Sequence, residues 1–211
     1  MSRRALASRL LLLLATAACG SSTPGPSPSP TPTATPDACT GAPSAYAQAI
    51  VDSWIPACSL AQNIYNDPQT ALGPSDAGGS GPRNFTGFVS LGFGGHVTVD
   101  MGGCITDQPG NDLRVYQAVA NEPVSVYVSL SPTGPFQLLE ARRSCGIRIN
   151  AVRGYCDFDL ATAGIAKARY VRVEDGELYP CPGDTVSEGA DLDAVQALGV
   201  ATTTGVAPAQ R

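Results

Sequence analysis

The sequence predicts an all-β fold, an antiparallel sandwich or jelly roll. Three observations lead there: short runs in which apolar and polar residues alternate, turn-rich segments of Gly, Pro, Asn and Asp between them, and no long stretch with a helical period. The runs come in order: "AQAIVDSW" (47–54), the stretch "GFVSLGFGGHVTVDMGG" (87–103), "DLRVYQAV" (112–119), "VSVYVSL" (124–130), "FQLLEA" (136–141), "ARYVRVED" (168–175) and "DLDAVQAL" (191–198). Counting two strands in the second, about eight strands are expected, which suits a sandwich. In the fourth run Val124, Val126, Val128 and Leu130 point one way and Ser125, Tyr127 and Ser129 the other. That is the half-buried pattern of an antiparallel sheet with one wet face.

The second run reads as a hairpin, with Val89, Leu91 and Phe93 on one face of its first strand and Val97, Val99 and Met101 on one face of its second. A two-residue turn at Gly94 and Gly95 would oppose an apolar face to a polar one. A three-residue loop of Gly94, Gly95 and His96 pairs Phe93 with Val97 and restores the match, leaving His96 in a turn.

The chain begins with three arginines between Ser2 and Arg9, a leucine run from Leu10 to Leu14, and small residues leading to Cys19. The apolar run is too short to span a bilayer, so residues 1–18 read as an export signal. Residues 20–37 interleave proline with Ser, Thr and Gly, a composition that buries no core and favours extended, solvated backbone. The expected organisation is a signal at 1–18, a tether at 19–37, one domain at 38–206 and a short tail at 207–211. With the signal's three arginines removed, 10 basic side chains face 18 acidic ones, a net charge of minus eight. Nucleic acid is therefore excluded as a partner, since no basic patch is available to neutralise phosphates.

Six cysteines follow Cys19, an even number in an oxidising compartment, and their spacing matches no zinc pattern. Three disulfides are expected. Local loop closure favours Cys39 with Cys58 and Cys145 with Cys156, leaving Cys104 with Cys181.

Catalytic chemistry is not marked out. His96 is the sole histidine and the expected turn leaves it away from any nucleophile, "SLGFG" is not a nucleophile elbow, and no carboxylate pair stands out for glycoside hydrolysis. Exposed aromatic rings would mark a sugar-binding surface, and Trp54, Tyr65, Tyr116, Tyr127, Tyr155 and Tyr179 are the supply. Trp54, in the first strand, reads as core. Tyr127, opposite the apolar face of its strand, is the candidate ligand-binding ring.

Two resemblances add to this. The segment "LLLLATAACG" resembles a bacterial lipoprotein processing site, with Thr16 where a leucine is usual, which implies lipidation at Cys19 and a place in the bacterial cell envelope, at the outer membrane or cell surface. "TALGPSDAGG", "FVSLGFGGHVTVDMG", "DQPGNDLRVYQ", "EPVSVYVSLSPTGPFQLL", "ARYVRVED" and "DLDAVQAL", in that order, resemble a family of bacterial cell-surface proteins with a discoidin-like or galactose-binding-like jelly roll. The resemblance covers most of residues 47–199 and implies a β-sandwich related to carbohydrate-binding modules, many of which hold a structural Ca²⁺. Candidate cation ligands are Asp76, then Asp107, Asn111 and Asp112, and then Asp191 and Asp193, taken as sharing one side of a strand. The alternative is that these are solvated turn residues. Gln196 stands where related sequences tend to carry a glutamate, and brings no charge. The functional expectation is a non-catalytic surface module binding carbohydrate, or a protein-interaction domain on the same sandwich.

Overall fold

A computed structural model describes residues 39–56, 64–78, 86–150, 152–176 and 189–199. By packing, the chain divides into Met1–Ala34 and Thr35–Arg211, and the described residues all belong to the second unit. The signal, Cys19 and the tether lie outside them. Among the described residues no helix is long and apolar enough to cross a membrane.

Among the described residues, ten strands form two antiparallel five-stranded sheets. They are β1 (Ala49–Trp54), β2 (Val89–Ser90), β3 (His96–Thr106), β4 (Leu113–Gln117), β5 (Pro123–Ser129), β6 (Gln137–Ser144), β7 (Ile147–Arg148), β8 (Gly154–Phe158), β9 (Lys167–Asp175) and β10 (Asp191–Ala197). One sheet has the order β1-β3-β9-β5-β6, and the other β2-β10-β4-β8-β7. The inner faces carry Val97, Val99 and Met101 of β3, Val126 and Val128 of β5 and Val171 and Val173 of β9. These join one core with Leu113, Val115, Phe158, Leu192 and Val195 of the second sheet. Each fully buried aliphatic side chain contributes about 1.5–3 kcal/mol. The alternation of β5 holds for its valines, but Leu130 is 41% exposed because the strand ends at Ser129. The expected count fell short at β7 and β8. "GYCDF" carries a glycine, a cysteine and two polar positions and does not look like a strand until Cys156 and Phe158 are known to be buried.

The stretch 87–103 is not a hairpin. Val89 and Ser90 pair with Leu192 and Asp191 in one sheet, whereas His96 opens β3 in the other, between β1 and β9. The chain crosses from sheet to sheet through a tight turn in which Gly95 N–H donates to Gly92 O at 3.2 Å. Gly94 has φ +73°, and a Cβ on Gly95 would strike the backbone oxygen of Leu91. Buried Asp175 ties the crossing down by accepting from Gly94 N–H at 3.0 Å and Ala190 N–H at 2.9 Å. His96 is thus a strand residue and not a turn residue. The apolar alternation of residues 89–93 was real but does not name a partner strand.

The disulfides correct the local-loop pairing. Cys145 joins Cys156 as expected, but Cys39 joins Cys104, so neither Cys39–Cys58 nor Cys104–Cys181 forms. The reason is a segment before β1 that runs along β3: Cys104 N–H donates to Gly41 O at 2.9 Å, Ser44 N–H to Met101 O at 2.8 Å and Gln48 N–H to Asp100 O at 2.9 Å. Gly103 permits the approach, since a Cβ there would collide with Ala42 O. Cys58 and Cys181 lie outside the described residues.

Candidate functional site

With the valines of β3, β5 and β9 turned inward, the intervening residues make the outer face of the β1-β3-β9-β5-β6 sheet. Strand register lays them in transverse rows. One row is Trp54, His96, Glu174 and Ser125. The next is Asp52, Thr98, Arg172, Tyr127 and Leu138. The expectation that Trp54 is core fails: the residue is 56% exposed. β1 is an edge strand with a register irregularity between Ile50 and Asp52, and Trp54 falls in the outward-facing row.

Polar contacts knit the two rows together. His96 Nε2 and Asp52 Oδ2 are 3.0 Å apart. Arg172 donates from Nη2 to the same oxygen at 3.3 Å and from Nε to Thr98 Oγ1 at 3.0 Å. Its guanidinium carbon lies 4.4 Å from the centroid of the Phe136 ring, within cation–π range. The Trp54 and His96 rings have centroids 6.3 Å apart. The His96 hydrogen bond holds the Asp52 carboxyl below its usual range, with burial opposing and the charges of His96 and Arg172 assisting. Tyr127 is half-buried beside Arg172, and burial raises its phenol, with Glu174 adding to the rise and Arg172 opposing it. Farther along β3, Arg169 clamps Asp100 through two bonds of 2.9 and 2.8 Å.

The outer face of the second sheet is also aromatic, but its groups satisfy one another. Arg114 pairs with Asp157 at 2.6 and 2.9 Å, its guanidinium carbon lies 3.9 Å from the Tyr155 centroid, and Tyr116 OH donates to Gln196 Oε1 at 2.8 Å. The Asp157 bond pushes the Arg114 guanidinium further above its already high range. Gln196 therefore serves a tyrosine. Tyr65 packs on Phe88 with ring centroids 4.4 Å apart, and Tyr179 lies outside the described residues.

The candidate acids separate into different places. Asp193 is buried, and its carboxylate accepts from Ser75 Oγ at 2.6 Å, from the N–H groups of Asp76 and Ala77 at 3.0 and 3.1 Å and from Arg153 Nη2 at 2.9 Å. Its partner is thus an arginine, and the backbone of Asp76 serves it. A register irregularity at Asp193 breaks the alternation that put it on one side with Asp191, whose N–H donates to Glu122 Oε2 at 2.8 Å. Asn111 is exposed. Asp107 and Asp112 do come together, joined by Asp159, with one carboxylate oxygen from each lying within 4.8 Å of the others. Asp112 is buried and accepts from Gln108 N–H at 2.9 Å and Leu160 N–H at 3.0 Å. Asp159 caps the short helical turn Leu160–Ala163 by accepting from Ala161 N–H at 2.8 Å. An aspartate directly ahead of "LATAG" was a readable capping signal, missed along with β8. Three oxygen donors suit Ca²⁺ in kind. Near this rim, beside the Cys39–Cys104 disulfide, a cavity of about 530 Å³ is lined by Ala42, Gln108, Lys167 and Leu198 among others.

No protein-family model matches the sequence, and no curated protein is similar to it at a significant level. Among solved structures the chain is similar to the CBM32 of AlyQ in complex with 4,5-unsaturated mannuronic acid. The likeness is at 15% identity and a TM-score of 0.41, over 73% of this chain and 98% of that one. A truncated AlyQ with CBM32 and alginate lyase domains is similar at 14% identity and a TM-score of 0.37, over 72% of this chain and 33% of that one. What this chain binds follows from its own residues.

Proposed function

We propose that this protein is a non-catalytic binding module, exported and tethered to a bacterial envelope through Cys19, that holds carbohydrate on the outer face of its β1-β3-β9-β5-β6 sheet. The observation that carries the reading is the half-exposed Trp54 ring set beside the His96–Asp52–Arg172 network and Tyr127. Sugar sites combine an aromatic surface with a few convergent polar groups, and this face has both. The same groups are engaged in contacts within the fold. His96 is hydrogen-bonded to Asp52, among the described residues no hydroxyl or thiol bonds to His96, and all four described cysteines are in disulfides. Asp107, Asp112 and Asp159 would hold a structural Ca²⁺ that fixes three loops at the rim. The protein-interaction reading has its own support in Ile147, Ile149 and Val152, which are 46, 46 and 40% exposed at the edge of the second sheet.

A glycan array probed with the full-length protein tests the proposal. Binding of at least one glycan class, lost in both Trp54→Ala and Tyr127→Ala, is expected. An array with no signal, or one unaffected by either substitution, refutes carbohydrate binding at this face.

A further inference from the structure

Resting on that reading, we infer that the face takes a neutral, linear oligosaccharide lying across the strands, and selects against acidic sugars.

The charges on the face decide the ligand's charge. Two carboxylates are each matched to a guanidinium: Asp52 to Arg172 and Asp100 to Arg169. Glu174 stands in the row between His96 and Ser125, so the rows add a third carboxylate without a third guanidinium. An anionic sugar would have to break one of these pairs and leave a carboxylate facing a carboxylate. The excess of acidic over basic residues in the exported chain repels polyanions at longer range as well.

The same pairs favour hydroxyl groups. Asp52, with its side chain 52% exposed, is an acceptor placed next to the donors of Arg172. Each sugar hydroxyl both donates and accepts. Two neighbouring hydroxyls can therefore give a hydrogen bond to the carboxylate and take one from the guanidinium without disturbing the ion pair.

Register sets the ligand's length and direction. Trp54 lies on β1 and Tyr127 on β5, three strand steps apart in the order β1-β3-β9-β5. At about 4.8 Å per step this is roughly 14 Å, a span covered by a chain of about three sugar rings. The chain crosses the strands, one end stacked on the exposed Trp54 ring and the other meeting Tyr127, with the Asp52–Arg172 pair beneath its middle.

The experiment is calorimetric titration of the full-length protein in detergent. The probes are neutral β-1,4-linked glucose, mannose and galactose oligomers from a single ring to about five rings, and uronate oligomers of matched length. With at least one neutral series, affinity is expected to rise up to about three rings and then level off, and the matched uronates to bind at least tenfold more weakly. Trp54→Ala should lower affinity for the trimer about tenfold, and Trp54→Phe should recover most of the loss. Uronates binding as tightly as the neutral series, or single rings binding as tightly as trimers, overturns the inference while sugar binding stands. No binding of any probe together with a blank glycan array overturns both.

Discussion

Arg153→Met tests the buried pair that organises the second sheet. The Asp193 side chain is fully buried and takes four hydrogen bonds, three from neutral donors and one from Arg153 Nη2, which also donates to Ser75 Oγ. Removing the arginine leaves a carboxylate that no water reaches and no positive charge balances. Breaking such a pair costs about 3–5 kcal/mol. Two features place this case at the lower end. Three donors still face the carboxylate, and Arg153 Nε is itself buried with no hydrogen-bond partner, so its removal relieves a desolvation cost. A loss of about 3 kcal/mol corresponds to a fall in Tm of roughly 6–12 °C for a domain of this size. Urea unfolding at neutral pH measures it, with the slope m expected to stay constant. Adding Asp193→Asn removes the charge and keeps an oxygen for the N–H groups of Asp76 and Ala77, so the double variant should recover more than half of the loss. A single-variant cost under about 1 kcal/mol, or no recovery in the double variant, refutes a charge-based account.

The disulfides should differ in weight. By loop-closure entropy, the Cys39–Cys104 bridge, of sequence separation 65, contributes about 4 kcal/mol and Cys145–Cys156, of separation 11, about 3 kcal/mol. Urea midpoints of the paired Ala variants compare them, and a peptide map joining Cys39 to Cys58 would refute the assignment. In acid, the Asp100 carboxyl is depressed below its ordinary 3.8, chiefly by the Arg169 hydrogen bonds. Its contribution is therefore complete above that value and lost as pH falls through the folded-state pKa, so stability should decline below about pH 4. Asp100→Asn should flatten that decline, and an identical acid limb would rule the pair out as its cause. If Ca²⁺ occupies the Asp107–Asp112–Asp159 rim, a hundredfold excess over Kd adds about 2.7 kcal/mol. Asp107→Asn should abolish the response, and a melt indifferent to chelator and Ca²⁺ would show these acids to be ordinary loop residues. Cys19→Ser should move the protein from the membrane fraction to the soluble one, and unchanged partitioning would refute lipid anchoring.

The all-β class, the core valines of β3, β5 and β9 and the Cys145–Cys156 bridge were legible because each depends on local information, a period of two or a short loop. Tyr127 was legible for the same reason, being the outward residue between inward valines. The tertiary structure decided the rest. Residues 87–103 have the pattern of a hairpin, yet they bridge two sheets, because alternation states which face is apolar and says nothing of which strand lies alongside. Trp54 is exposed because register puts it on the outer face of edge strand β1, a property of the assembled sheet and not of the local sequence. Asp193 meets Arg153 across 40 residues, Asp107 and Asp112 meet Asp159, and Cys39 meets Cys104. Such pairings arise only when strands distant in sequence are laid side by side, because burial drives the sheets together and charge and thiol chemistry then act on whatever that packing has made adjacent.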